Sequence, residues 1–503
     1  MSKIQKTGQP EEPAAAAVTV RMYRHGLGDC FLVRLPKTNG TTFNMLIDCG
    51  LIAVASNPKV TMEAVVADID RACNHHIDLV AVTHEHWDHV SGFSIQQTQS
   101  AFDAIPIDEV WYAWTEDPSN KLGRKLRDER ESKVRALQAA AVGLRRTGTS
   151  LGAARAERVE TLLQFFGFDI GGGAAADLSA GGTRPIGKTR AAFDYLLKRR
   201  GVQVRYRYPD KPPMTLDGVE GVRIYVLGPP EDEGRIKRSS PTKKGKEVYE
   251  FASSVAADDS LAAAFARLGA DTSTAGGADC PFESLLAVAP GGPGRKPSPK
   301  LEALMAECWN AKDDDWRKID ADWTVAIESL ALDLDSHTNN TCLVLAIELV
   351  KSGRVLLFPG DAQVGNWLSW QERTWQVDEG GTTRTVTGPD LLRRTVFYKV
   401  GHHGSHNATL RAAGLEQMES EELVAFVPVF KEQAEKNRWH QMPFEPLVTR
   451  LEEKTGGRLV VSDPKRSAPT AARSLTRLTD EQRGVFTRSL TEKLLYYEHS
   501  IPL

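Results

Sequence analysis

The amino-acid sequence predicts an α/β fold interrupted by large helical insertions, and three observations point there. Short runs rich in Val, Ile, Leu and Phe, closed by Gly, Pro or Asp, crowd the first 115 residues and return after residue 340. Amphipathic segments such as 62–73 (MEAVVADIDRAC) and 444–456 (FEPLVTRLEEKTG) fall near those runs, where crossover helices would lie. Between the strand-rich ends, residues 119–200 and 231–330 turn to charged helical segments and Gly/Pro-rich connections.

In chain order, residues 1–17 carry no apolar core of a signal peptide and are expected to be a disordered tail, with one elaborated domain over 18–503. VTVRMYRHGLGDCFLVRLP (18–36) and TTFNMLIDCG (41–50) read as strands, the first broken by a Gly turn; DLVAVTH (78–84) and EVWYAW (109–114) follow. Helical spacing then covers 119–146, 153–168 and 189–201, with GGGAAADLSAGG (171–182) as a flexible break. VRIYVLGPP (222–230) returns to strand. A basic loop (235–246), a Pro/Gly linker (288–299) and an acidic helix (301–316) precede five further strand runs, at 340–350, 353–362, 395–405, 423–430 and 457–463. The segment 479–503 reads as a helix with a short packing piece, without a functional role. No internal repeat of 20 to 50 residues stands out.

Composition excludes more than it nominates. The 63 Lys and Arg against 66 Asp and Glu leave a net charge of −3, so bulk charge selects no partner. No run nears the roughly 18 apolar residues of a membrane span. The six cysteines show no CxxC pairing, which argues against a zinc ribbon or a disulfide framework. A cytoplasmic protein is expected, with no membrane partner and with self-association open.

The chemistry concentrates in VTHEHWDHVSG, residues 82–92. Of 12 histidines in 503 residues, His84, His86 and His89 fall within one hexapeptide, together with Glu85 and Asp88. A structural loop has no need of that density, whereas imidazole and carboxylate are the ligands that divalent zinc, manganese or iron takes. One loop rarely completes a catalytic site, so further ligands are expected downstream at strand ends. Three places offer them: His337 ahead of a strand run, Asp361 closing VLLFPGD, and His402-His403 closing FYKVGHH.

HEHWDH followed in order by HT, GD and GHH resembles the metallo-β-lactamase superfamily, over residues 20 to about 465 outside the insertions. More narrowly, GLGDCFLVRL with MLIDCG, NNTCLVL with LLFPGDA, YKVGHHGS, and KNRWHQMP with VVSD resemble the soluble domain of bacterial competence DNA-uptake proteins. This chain departs from that group in lacking a membrane channel and in its central insertion. The resemblance implies an αββα sandwich with the site at one rim, and two divalent ions, Zn2+ first, with Mn2+ or iron as alternatives. It implies that His84, His86 and His337 hold one ion, that Asp88, His89 and His402 hold the other, and that Asp361 bridges them. His337 is the weakest member of the set, because competence-type domains often lack a histidine there. Of the histidine pair, His402 is preferred as ligand; His403 then stands behind it or faces substrate. Asp48 would orient a ligand histidine through its ring N–H. Asp29 and Lys399 could each be structural or part of the site. Asp88, His403 and His440 are the catalytic candidates, and Ser405, with His440, would meet the substrate's phosphate or leaving group.

Such a centre implies hydrolysis by a metal-bridging hydroxide. No GxSxG elbow or GxxxxGK[ST] loop competes as an explanation. For the substrate, residues 120–200 hold 17 Lys and Arg against 8 Asp and Glu, a net of +9 in a chain of net −3. That segregation suits an anionic partner such as nucleic acid, gripped through phosphate by residues such as Arg124, Lys125 and Arg127. Solvated basic helices would look the same. A phosphodiesterase or nuclease is therefore expected, the alternatives being hydrolysis of a small lactone, thioester or amide, and a binding module without catalysis.

Overall fold

The computed structural model describes residues 17–52, 56–146, 150–168, 188–238, 298–308, 319–436, 439, 442–466, 468–470 and 475–503. The expected tail therefore lies outside the described residues, except Ala17, which opens the first strand.

Two mixed sheets account for most of the strands. The first comprises β1 (Ala17–Tyr23), β2 (Cys30–Pro36), β3 (Thr42–Cys49), β4 (Ile77–Ala81), β5 (Ile107–Ala113) and β6 (Gln203–Arg207), extended beyond β1 by β17 (Tyr496–Pro502) and β16 (Leu490–Glu492). The second runs β15 (Leu459–Val461), β14 (Val424–Val427), β13 (Thr395–Lys399), β10 (Arg354–Phe358), β9 (Val344–Leu349), β8 (Val219–Gly228) and β7 (Met214–Leu216). Each sheet is antiparallel on one side and parallel on the other, with β3–β6 parallel in the first and β10, β13, β14 and β15 parallel in the second. A separate hairpin pairs β11 (Thr374–Glu379) with β12 (Thr382–Thr387).

Strand alternation sorts the apolar residues into three cores. Phe31, Val33, Met45, Ile47, Leu79 and Ala81 of the first sheet share one core with Leu345, Ile347, Leu356, Phe358, Phe397 and Phe426 of the second. A chain of ring contacts crosses it, Phe31–Phe358–Phe397–Phe426, with centroids 5.0 to 6.1 Å apart. Each such buried ring contributes about 1.5–3 kcal/mol of transfer free energy. The next residue along each strand points the other way. Leu32, Leu46, Val80 and Val110 pack beneath α1 (Met62–Ala72), α2 (Gln96–Asp103) and α5 (Lys188–Leu197). Val344, Ala346, Leu357 and Tyr398 pack beneath α3 (Lys121–Arg146), α4 (Ser150–Leu163), α6 (Ile319–Asn339) and Trp367 of α7 (Val364–Trp370). The result is a mixed α/β protein whose strands, buried on both faces, read as near-continuous apolar runs.

One expectation shifts, and one gains its detail. The segment 189–201 was grouped with the basic insertion, but α5 covers the first sheet as the crossover between parallel β5 and β6. The C-terminal packing piece is β17, whose alternating YYEHSIP pairs residue by residue with β1. Among the described residues no helix is long and apolar enough to cross a membrane.

Candidate metal centre

The parallel strands of both sheets end at a common rim, where open α/β sheets place their ligands. Asp48 sits near the end of β3, the 84–89 loop follows β4, Asp361 follows β10, and His402-His403 follow β13. Close backbone approach holds the loop down. A Cβ on Gly50 would overlap the backbone of Asp88 and His89, so only glycine lets DCG lie beneath the histidine loop. Asp29 N–H donates to Asp88 O at 2.9 Å, and Leu343 N–H to Thr83 O at 2.8 Å, which ties the loop to both sheets. Asp48 (φ 55), His402 (φ 44) and His403 (φ 52) all adopt the left-handed conformation. Non-glycine residues do so at a cost, and such strain gathers where geometry serves a site.

The rings are oriented from behind. His89 Nδ1 lies 2.8 Å from Asp48 Oδ2, while Asp48 also accepts from Thr83 N–H (2.8 Å) and Thr83 Oγ1 (2.6 Å). His84 Nδ1 meets Thr83 Oγ1 at 3.1 Å, His402 Nδ1 meets Ser405 Oγ at 2.7 Å, and His403 Nδ1 donates to Pro428 O at 2.8 Å. With each Nδ1 occupied, the Nε2 atoms point inward. His403 Nε2 lies 2.7 Å from Asp88 Oδ2, and His89 Nε2 lies 3.1 Å from Asp361 Oδ2. One ligand atom from each of Asp88, His89, Asp361 and His403 falls within 4.8 Å of all the others. Asp361 Oδ1 is taken by His402 N–H (2.8 Å) and Lys399 Nζ (3.1 Å), which turns Oδ2 toward His89. Lys399 also pairs with Asp29 and donates to Gly360 O at 2.9 Å.

What remains unpaired decides how the cluster reads. His84 Nε2, both ring nitrogens of His86, His402 Nε2, Asp88 Oδ1 and Asp335 Oδ1 are buried without a hydrogen-bond partner, and His89 Nε2 and Asp361 Oδ2 have only each other, at 3.1 Å. A buried polar atom left unmade costs about 1–3 kcal/mol, more when charged, so one rim would forfeit a stability comparable to that of a whole domain. Five buried carboxylates (Asp29, Asp48, Asp88, Asp335, Asp361) converge here, and Lys399 bridges two of them. Imidazole nitrogens and carboxylate oxygens in this number are the donor set of a divalent-cation centre, and the buried His/Asp group can hold a metal ion.

Electrostatics separate the rings. Burial lowers His84 well below the ordinary histidine value, His86 to about 3 and His402 to about 4, leaving neutral imidazoles ready to ligate. Burial opposes charge on His89 and His403 too, but the carboxylates around them, Asp361 foremost for His89 and Asp88 for His403, raise both. Those carboxylates are lowered in return, Asp361 well below its usual range. An incoming cation would replace these shared protons.

Comparison with models of known protein families gives no match, and no curated protein matches the chain.

The geometry of the site brings together most of the residues singled out in the sequence, with changes. His403 joins the tightest group, while His402 stands beside it with Nε2 free and its ring 6.5 Å from that of Phe165. His337 is not brought to the cluster. HT ends the long helix α6, and His337 lines a separate hollow with Arg130, Lys133 and Lys237, with its pKa lowered to about 4 by burial. Asp335, two residues earlier and thus on the opposite helix face, faces the cluster instead: its Oδ1 is 3.9 Å from His86 Nε2. His440 lies outside the described residues. The three basic candidates are engaged elsewhere. Arg124 donates to Pro118 O (2.7 Å), Lys125 pairs with Glu233 (2.8 Å), and Arg127 donates to Thr115 O and Asp117 O.

Sequence reasoning missed the partners of Glu85 and the place of Gln363, and it offers Phe165 and Phe166 only as rings on which bases could stack. Glu85, inside the loop, is buried against Arg130 of α3 (2.5 Å) and Thr189 of α5 (3.3 Å), and Arg130 and Arg190 both reach Glu116. Phe165 and Phe166, just after α4, roof the site, with ring centroids 5.8 and 4.9 Å from His86. Gln363 completes the floor beside His402, held by Asn407 at 2.9 Å. No spacing rule announces contacts across 45 to 104 residues.

Proposed function

We propose that the chain is a binuclear metal-dependent hydrolase with the αββα sandwich of the metallo-β-lactamase superfamily, acting on phosphodiesters. The observation that carries this reading is the set of buried, unpaired His and Asp atoms at the shared rim of the two sheets. His84, His86 and Asp361 would hold one ion, and Asp88, His89, His403 and Asp361 the other. When bound, two divalent ions supply Lewis acidity and lower the pKa of water enough for attack near neutral pH.

The protein's own groups do the rest. Asp48 and Pro428 O fix the tautomers of His89 and His403, so that Nε2 carries no proton where it must ligate. Lys399 holds Asp361 and Asp29 in place. Phe165, Phe166 and Trp439 exclude water from the face above His86 and His402. His402, with Nε2 free and Nδ1 on Ser405, is the ring placed to meet a substrate oxygen.

The phosphodiester class is supported by the short stretches that resemble competence proteins and by the net +9 of residues 120–200. The engagement of Lys125 and Arg127 by the protein itself, with the aromatic roof, favours the second reading, a small lactone or thioester. Turnover of bis-p-nitrophenyl phosphate without turnover of lactones supports the first; the reverse result assigns the second. Activity in neither assay, from protein loaded with Zn2+ or Mn2+, counts against a hydrolase.

A further inference from the structure

We infer that Asp335 is a metal ligand: a carboxylate from the last turn of α6 completes the ion site of His84 and His86, tilting it toward oxygen-preferring divalent metals. This rests on the metal-centre reading above. Asp335 lies 26 positions before Asp361 and 67 or more from the histidines of the set, and no motif marks it, since an acid within an acidic helix is ordinarily a solvated one.

The structure treats it otherwise. Asp335 is buried, and its two oxygens have different environments. Oδ2 accepts from Asn339 Nδ2 at 3.2 Å, an i,i+4 contact along the helix that fixes the carboxylate plane. Oδ1 is left without a partner and points at His86, whose Nε2, 3.9 Å away, is also unpaired. One proton shared by the carboxyl and the imidazole, or a cation in its place, satisfies both atoms, and metal binding tells the two apart. His84 Nε2 is likewise unpaired, and its ring centroid lies 4.6 Å from that of His86. Helix phase explains the choice of residue: positions 335 and 337 lie on opposite faces of α6, so either can serve the rim but not both.

The chemical consequence follows from donor type. With Asp335 the site offers two imidazoles and two carboxylates, against three imidazoles and one carboxylate had His337 served. Carboxylate donors suit Mn2+ better than imidazole does, so the affinity ratio of Mn2+ to Zn2+ should be higher than in a site with histidine at this position.

The test compares full-length wild type with Asp335→Ala and Asp335→His, each stripped by chelator and dialysed against Mn2+ alone or Zn2+ alone. Bound metal is measured by mass spectrometry, affinities by competition with a chromophoric chelator, and folding by circular dichroism. Wild type should bind about two equivalents. Asp335→Ala should lose one of them, or bind it at least about 10–100-fold more weakly, the loss typical even of outer partners. Asp335→His should bind two equivalents of Zn2+ with a reduced Mn2+/Zn2+ affinity ratio. A folded alanine variant with unchanged stoichiometry and affinity overturns the inference. Should alanine prevent folding, an unchanged ratio in the histidine variant overturns it instead. A wild type that binds neither metal defeats the metal-centre reading itself.

Discussion

Replacing Asp48 with asparagine isolates the orientation of His89 from everything else at the rim. Asp48 accepts three hydrogen bonds, from Thr83 N–H, Thr83 Oγ1 and His89 Nδ1. Asparagine keeps the volume and is among the residues that tolerate the positive φ of this position. Its Oδ1 can still accept from Thr83 N–H, and the Thr83 hydroxyl can rotate to accept from the new amide. His89 cannot adapt as cheaply. Facing an amide N–H, Nδ1 must become the acceptor, which moves the ring proton to Nε2, the atom aimed at Asp361. The wrong tautomer then has to be reversed whenever a cation binds. Loss of an orienting partner of this kind costs about 10–100-fold in metal affinity, or about 1.4–2.7 kcal/mol. Competition titration of the stripped variant with Mn2+ or Zn2+ should show a loss of that size, with circular dichroism confirming that the variant is folded. Wild-type affinity for both ions would refute the argument that Asp48 sets the His89 tautomer.

Other expectations follow from the same contacts. Gly50→Ala drives a methyl into the backbone of Asp88 and His89, which cannot yield, and should destabilise by about 3 kcal/mol or more in urea unfolding; a loss below about 1 would contradict the close approach. Arg130→Met leaves buried Glu85 and Glu116 with Arg190 and the more distant Arg127 and should cost about 3 kcal/mol, near the low end for a broken buried pair; a neutral outcome would mean the loop is positioned without the insertion. His499, buried on β17 and away from the rim, has its pKa lowered by burial to about 4. The unfolded ring takes up a proton near pH 6.5 while the folded one refuses it until about 4, so stability falls as pH drops through that window. His499→Gln should reduce the slope of unfolding free energy against pH there by up to about 1.4 kcal/mol per pH unit, and an unchanged slope would show that the ring is not held neutral.

The histidine loop was legible because its ligand density has no structural purpose, and Asp361 and the His402-His403 pair because each closes an apolar strand run. The two-sheet arrangement was partly legible for the same reason: strands buried on both faces leave continuous apolar runs, as in DLVAV and VLLF. Helix phase was not legible. Reading HT as the lead-in to a strand overlooked that α6 continues to Asn339, which turns Asp335 rather than His337 toward His86. The roles of Lys125 and Arg127 depend on Glu233 and on backbone carbonyls 10 to 12 residues upstream, which a net-charge argument cannot see. The C-terminal packing piece was legible as such, but that it is a strand, and that it pairs with β1 at the other end of the chain, was not written in the segment.

The most direct measurement is anomalous scattering from crystals of the full chain grown with Mn2+ or Zn2+, with data collected at the metal's absorption edge. Two peaks about 3.5–4 Å apart are predicted, the usual separation in paired sites. One should lie among His84, His86 and Asp361, the other among Asp88, His89 and His403. A folded, fully ordered rim with no peak among these side chains would contradict the account.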